Sequence, residues 1–160
     1  MGPTIEFELS KEFRDRFQLA LNERDHDFII KSLDHVKPAD ISAFLYEFNS
    51  EESKYVLSLL PTEIHAEIIR DLDSDTRINF LKIYTPSELS VLVNQLNSDD
   101  AADILNELPI KNREQVIAGL DKEWKAQIID LLRYEENVAG GLMAKELIKV
   151  QSDWTVVQCM

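Results

Sequence analysis

The chain has 160 residues, 44% of them hydrophobic, and a formal net charge of −13 from 30 acids and 17 bases. This length and composition suit a single domain, and the excess of acids argues against binding to nucleic acid and favours cations or basic partners. The single cysteine, Cys159, cannot form an internal disulfide. No apolar run approaches the roughly 20 residues that cross a bilayer. We therefore expect a reducing, cytosolic setting.

The first helix is expected after a short N-terminal stretch without clear periodicity. Residues 1–10 are expected to be disordered or the remnant of an expression tag. Ser10 has a side chain suited to an N-cap, and the helix after it, ending near Asn22, carries its apolar residues at Phe13, Phe17, Ala20 and Leu21. A second helix is predicted from about Asp25 to His35.

From Val36 to Leu132 a large apolar residue returns at every twelfth position. Aliphatic or aromatic residues also stand three and four positions before most of these, so the three positions share one face of a helix. Each unit therefore reads as a helix of about two to three turns, which is unstable alone in water. The sequence predicts an all-α solenoid of about ten short helices that stack around a continuous core.

The connections between the repeats carry helix-start signals. Asn49, Asp73, Thr85, Asn97 and Asp121 are predicted N-caps, whose side chains accept hydrogen bonds from unpaired amides. The segment Thr85-Pro86-Ser87-Glu88 predicts a capping box.

Proline residues mark the other connections. Pro38, Pro61 and Pro109 are expected in first helical turns, where the proline nitrogen needs no partner. The residue before the repeat position alternates between polar and apolar, which indicates a doubled unit of about 24 residues, a helix pair with one helix more buried.

The segment between Lys82 and Lys111 contains no basic residue. Its five acids are Glu88, Asp99, Asp100, Asp103 and Glu107. The helix predicted to begin near Ser98 has Ala101, Ile104, Leu105 and Leu108 on its core face. Asp99, Asp103 and Glu107, spaced four apart, are therefore predicted in one column on the solvent face, with Asp100 beside it.

Two interpretations of this acidic column are open from spacing alone. Like charges four apart on a helix repel, so a bound cation would stabilise the column, and carboxylate oxygens suit Mg²⁺ or Ca²⁺. Alternatively, Asp99 and Asp100 lie in the first turn, where acids complement the helix dipole without any ligand.

Other residues offer less chemistry. His65 is predicted to be a partly buried polar side chain rather than a ligand or a base, and Phe80 and Trp124 are predicted core residues. Gly140 and Gly141 lack the frame of a phosphate-binding loop. No nucleophile, base and orienting group can be assembled, so the chain is predicted not to be an enzyme.

Three segments together resemble the cytosolic N-terminal domain of the MgtE magnesium transporters. They are Pro38-Ala39-Asp40-Ile41, the acidic stretch from Ser98 to Leu105, and Arg133-Tyr134-Glu135-Glu136 running into Ala139-Gly140-Gly141-Leu142-Met143. The repeat alone is also found in other helical solenoids, including flagellar motor-switch modules, whereas the Ala-Gly-Gly-Leu-Met junction is more specific. The likeness covers about residues 11–160.

The resemblance implies a domain organisation. Residues 11–133 would form the helical domain, a right-handed superhelix in the family. Residues 134–144 would be the junction, and residues 145–160 the beginning of a CBS domain. In the full-length protein, a homodimer in this family, CBS domains and a membrane pore would follow, and this chain would lie on the cytoplasmic side of the membrane. The fragment alone is expected to be a monomer.

The resemblance also implies a function and a set of metal ligands. Mg²⁺ would bind between the N domain and the CBS domains and favour pore closure. Matched by motif, the ligands on this chain would be Glu67, Asp99 and Asp103, with Asp100 as the adjacent candidate. The alternative from another functional class is a helical scaffold that binds a basic partner through the same acidic face without any metal.

Overall fold

The computed structural model describes residues 10–134. The tag-like N-terminus, the Ala-Gly-Gly-Leu-Met junction and the beginning of a CBS domain fall outside the described residues, apart from Ser10 and Tyr134 at the edges. Residues 10–134 form ten α-helices and no strand, which confirms the predicted all-α class. The helices are α1 (Lys11–Glu23), α2 (His26–Leu33), α3 (Pro38–Leu45), α4 (Ser50–Ser58), α5 (Thr62–Asp71), α6 (Ser74–Leu81), α7 (Pro86–Val93), α8 (Ser98–Glu107), α9 (Ile110–Ala118) and α10 (Lys122–Leu131).

Most of the predicted helix starts are confirmed in detail. The Ser10 side chain accepts a hydrogen bond from the Phe13 amide, and Asn49 forms a capping box with Glu52. The predicted capping box of Thr85 with Glu88 is present, with Pro86 in the first helical position. Side-chain caps therefore satisfy amides that the short helices leave unpaired.

Four helix starts differ from the prediction. Pro61 and Pro109 lie at the N-cap, one residue before the helix, because ψ at each is near 140° (142° and 141°) and thus extended. Asn97 and Asp121 lie at the N-cap as predicted, but their side chains accept no hydrogen bond from the helix. In both of these helices an acid in the first turn complements the helix dipole instead.

The twelve-residue repeat forms the core. The residues four positions before each repeat residue, from Phe44 to Ile128, are all buried. At the N-terminal end, the rings of Phe13, Phe17, Phe44 and Phe48 contact one another and join α1 to α3. Three positions before each repeat residue, the side chains are buried from Leu33 to Leu105, whereas Ile117 is partly buried and Ile129 is 38% exposed.

Helices pack mainly on their next-but-one neighbours. α3 packs on α5, α5 on α7, α7 on α9, and α8 on α10. This arrangement agrees with the doubled unit of about 24 residues, and α5 and α7 bury more residues than α6 between them. It is compatible with a solenoid, whose right-handed twist stays a prediction. Within residues 10–134, each helix is too short or too polar to span a bilayer.

Candidate functional site

The positions of the acids on α8 agree only in part with the prediction from the sequence. Its core face, formed by Ala101, Ile104, Leu105 and Leu108, is buried. On the other side Asp103 is exposed, while Asp99 and Asp100 are half-buried. The first two turns of α8 therefore carry three carboxylates at or near the surface.

The prediction was wrong for Glu107, which does not extend the acidic column into solvent. Its two carboxylate oxygens accept hydrogen bonds of 2.7 Å from Nε and Nη2 of Arg77, and Ser74 Oγ donates another at 2.8 Å. The Arg77 and Glu107 side chains are only 15% and 12% exposed. The physical reason is that α6 places Arg77 directly beside the end of α8, so the charge of Glu107 is already neutralised.

Arg77 also ties this pair to α5. Its Nη1 donates to the carbonyl oxygens of Arg70 and Leu72 at the end of α5, at 2.7 and 3.3 Å. The hydrogen bond to Glu107 is the main cause that raises the pKa of Arg77, against the effect of burial. One arginine therefore holds α5, α6 and α8 in fixed relative positions.

Arg113 occupies the same position in the twelve-residue repeat as Arg77 and makes a similar contact. This recurrence is a sequence signal that the prediction missed. Arg113 stands three twelve-residue repeats after Arg77, and its Nη2 donates to the carbonyl oxygens of Asn106 and Leu108 at the end of α8. The recurrence of arginine at one repeat position would have indicated that both arginines cap a preceding helix rather than form a solvated charge.

Asp99 has the most unusual environment among the predicted ligands. Its Oδ1 atom is buried and accepts no hydrogen bond within the described structure. A buried carboxylate oxygen without a donor is unfavourable, because water is removed and nothing replaces it. A hard cation that approaches this oxygen would supply the missing interaction, so Asp99 fits a role as a Mg²⁺ ligand.

Asp100 faces a cation supplied by α5. Its Oδ2 atom lies 3.7 Å from Nη1 of Arg70. The Nε and Nη2 atoms of Arg70 donate to Oδ1 of Asp71, the next residue in the chain, at 3.1 and 3.0 Å. Burial raises the pKa of Asp100, and the negative charges of Asp99 and Asp71 raise it further, against the opposing effect of Arg70.

Glu67 belongs to the same electrostatic environment. Burial lowers the pKa of Arg70, but the hydrogen bond to Asp71 and the charges of Asp71, Asp100 and Glu67 outweigh it and raise that pKa overall. Glu67, on α5, and Asp100, on α8, therefore act on the same guanidinium group. We call Glu67, Asp99, Asp100 and Asp103 the acidic surface.

The acidic surface is not a complete metal centre within residues 10–134. No group of three or more His, Cys, Asp or Glu side chains in this part of the chain is arranged to hold a metal ion. The four predicted ligands thus remain a prediction, and ligands from outside the described residues would be needed to complete a site.

His65 is a buried structural side chain, as the sequence predicted. It is 8% exposed, and its Nε2 lies 2.9 Å from the hydroxyl oxygen of Tyr84, with which it shares a hydrogen bond. Burial lowers the pKa of His65 to about 4, while Glu88 raises it and Lys54 lowers it by smaller amounts. His65 is therefore neutral at pH 7.

Comparisons of the sequence and of the structure with known proteins agree with each other. A model of the MgtE intracellular N domain matches residues 36–137. The cytosolic domain of the Mg²⁺ channel MgtE, solved in complex with ATP, is 32% identical with a TM-score of 0.71, over 79% of this chain and 52% of that chain. The soluble part of a magnesium transporter shares the fold at 18% identity with a TM-score of 0.72, over 84% of this chain and 55% of that chain. This chain spans about half the length of these two structures. A comparison with curated proteins gave no match.

We predict that Glu107→Ala destabilises the fold far more than Glu47→Ala. Removing Glu107 leaves the charge of Arg77 buried without its partner, which should cost about 2–4 kcal/mol of unfolding free energy. Glu47 is the matched control, because its 3.2 Å ion pair with Arg14 is exposed (35% and 46%) and should contribute less than about 1 kcal/mol. Urea denaturation measures both losses, and equal losses would contradict the role assigned to Arg77.

We predict that acidification destabilises the chain through His65. An unfolded histidine has a pKa of 6.5 and the folded one about 4, so between these values only the unfolded state binds the proton. Unfolding free energy should therefore fall as pH decreases, by roughly 2 kcal/mol from pH 7 to pH 5. The His65→Gln variant should lack this component in urea titrations at the two pH values. Parallel losses in both proteins would show that His65 does not titrate in this way.

Proposed function

The chain belongs to the family of MgtE intracellular N domains, and we propose that it is the cytosolic regulatory domain of a magnesium transporter or channel. In this proposal it senses intracellular Mg²⁺ through the acidic surface, which it shares with CBS domains of the same full-length protein. Binding of Mg²⁺ favours the closed pore. The role is non-catalytic.

The observation that carries the proposal is the buried Oδ1 of Asp99, which lacks a hydrogen-bond donor, one helical turn from the exposed carboxylate of Asp103. The two residues lie four positions apart on α8, so their side chains project from the same face. Glu67 would contribute from α5, and Asp100 adds negative charge beside them. By contrast, Glu107 is excluded from the proposed ligands because Arg77 and Ser74 already occupy its oxygens.

The incomplete ligand set suits a sensor that works between domains. Mg²⁺ takes six oxygen ligands and retains several waters, so two or three carboxylates from this chain would bind it weakly. Carboxylates from a facing CBS domain would complete the shell only when the two domains approach. Binding that occurs only in the compact arrangement stabilises that arrangement, which is a shift in population between two states.

Electrostatic repulsion would favour the state in which the two domains are separated and the pore is open. Without a cation, the acidic surface and an acidic partner domain repel each other, and the net charge of −13 adds to this effect. The domains would then separate and the pore would open. The intracellular Mg²⁺ concentration thus sets the balance between the two states in this proposal.

A helical scaffold that binds a basic partner through the same surface is the alternative. The exposed position of Asp103 suits either role. The two are distinguished by a pull-down in excess EDTA, because a scaffold retains its basic partner without metal, whereas the Mg²⁺-dependent contact with CBS domains is lost.

We predict that Asp99→Asn combined with Asp103→Asn in the full-length protein leaves the pore open at high Mg²⁺. The amides keep the side-chain size but remove the charge that attracts the ion. The control is Asp15→Asn combined with Asp27→Asn, which removes two exposed acids from α1 and α2 and should leave gating unchanged. Patch-clamp recording at varied cytosolic Mg²⁺ measures the effect. Normal closure in the Asp99 and Asp103 variant would exclude this site.

A further inference from the structure

Arg70 places a positive charge inside the acidic surface. Its guanidinium lies 3.7 Å from Asp100 on α8 and within electrostatic reach of Glu67, one turn earlier on α5. The side chain is 36% exposed, so it can move toward solvent without breaking the core. Asp100 and Glu67, which lie on different helices, therefore both act on Arg70. Arg77 has a smaller electrostatic effect on Asp100.

Arg77, seven residues later, shows what a fixed arginine looks like in the same region. It is 15% exposed, contacts both oxygens of Glu107 at 2.7 Å and donates to two backbone carbonyls. Arg70 has no comparable anchoring to α8, because its one contact there is the 3.7 Å approach to Asp100. Its short hydrogen bonds go to Asp71, its neighbour in sequence.

We propose that Arg70 is a built-in competitor for Mg²⁺ at the acidic surface and sets the concentration at which the ion binds. This inference rests on the proposed function. When no ion is bound, the guanidinium partly neutralises Asp100 and Glu67. When Mg²⁺ arrives, Arg70 leaves Asp100 and stays paired with Asp71.

The energetics favour such an exchange. Asp100 is half-buried and follows Asp99 directly in sequence, so a nearby cation stabilises its ionised form. A guanidinium at 3.7 Å in a partly exposed position supplies only a small part of that stabilisation. A divalent ion supplies more, since its charge is doubled and it can contact oxygen directly.

The exchange would also affect selectivity. A monovalent ion brings no more charge than the guanidinium it must displace, and the guanidinium is tethered to the site. A divalent ion brings twice the charge. Arg70 would therefore suppress binding of K⁺ and Na⁺ at cellular concentrations while it raises the Mg²⁺ concentration needed for occupancy.

The test compares MgCl₂ titrations of four versions of the chain at constant ionic strength: wild type, Arg70→Gln, Arg70→Lys and Arg14→Gln. Amide shifts of Asp99 and Asp103 report Mg²⁺ occupancy in each, and the Arg70 Nε resonance of the wild type reports displacement. Arg14→Gln is the matched control, because it also removes one arginine from an exposed ion pair.

We expect Arg70→Gln to bind Mg²⁺ roughly threefold to fivefold more tightly than wild type, since the removed pair is a weak one. Arg14→Gln and Arg70→Lys should stay within about twofold of wild type, because the first leaves the competitor and the second keeps one positive charge at that position. The Arg70 Nε resonance should shift with the same midpoint as the Asp99 amide.

Several results would overturn the inference. Equal affinities for wild type and Arg70→Gln, with saturable binding in both, would refute the competitor role and leave the proposed function intact. An equal gain in Arg14→Gln would show a general charge effect, which also refutes it. Absence of saturable binding in every version would refute both this inference and the N-domain part of the proposed site.

Discussion

The structure depends on one constraint, which is that helices of 8 to 13 residues are not stable alone in water. Each helix must bury an apolar stripe against its neighbours, and the twelve-residue repeat supplies that stripe at regular intervals. Stacking on the next-but-one helix gives α3, α5, α7 and α9 a shared series of contacts. Because the repeat residues fill the core, acids can occur only on the outer faces or in ion pairs, and α8 shows both outcomes on a single helix.

The acids of α8 lie in different surroundings. Glu107 lies where α6 delivers Arg77, so its charge is used to hold three helices together. Asp99 and Asp103 lie in the first two turns of α8, and Asp99 keeps a buried oxygen without a hydrogen-bond donor. The fixed pair orients α8, and the remaining carboxylates are thereby presented at a defined position relative to α5. The paired Glu107 thus has a structural role, while the ligand role of Asp99 and Asp103 is the proposal.

The fold was predictable from the sequence because helix periodicity and helix capping depend on residues close together in the chain. Burial from Phe44 to Ile128 follows directly from the repeat, and the capping box at Thr85 follows from side-chain chemistry over four residues. The site was less predictable, since the pairing of Glu107 with Arg77 depends on how α6 and α8 meet, 30 residues apart in the chain. The ion pair of Arg70 with Asp100 likewise depends on how α5 and α8 meet. The 38% exposure of Ile129 was not predictable, because the repeat gives it the same apolar character as the buried residues at that position.

Whether Mg²⁺ binds the acidic surface is measured by NMR titration of the isotopically labelled chain with MgCl₂. At constant ionic strength, we expect saturable amide shifts confined to the surroundings of Glu67, Asp99, Asp100 and Asp103, even at weak affinity. Shifts spread evenly over the acids of all ten helices, without saturation, would mean only counterion screening and would contradict the account.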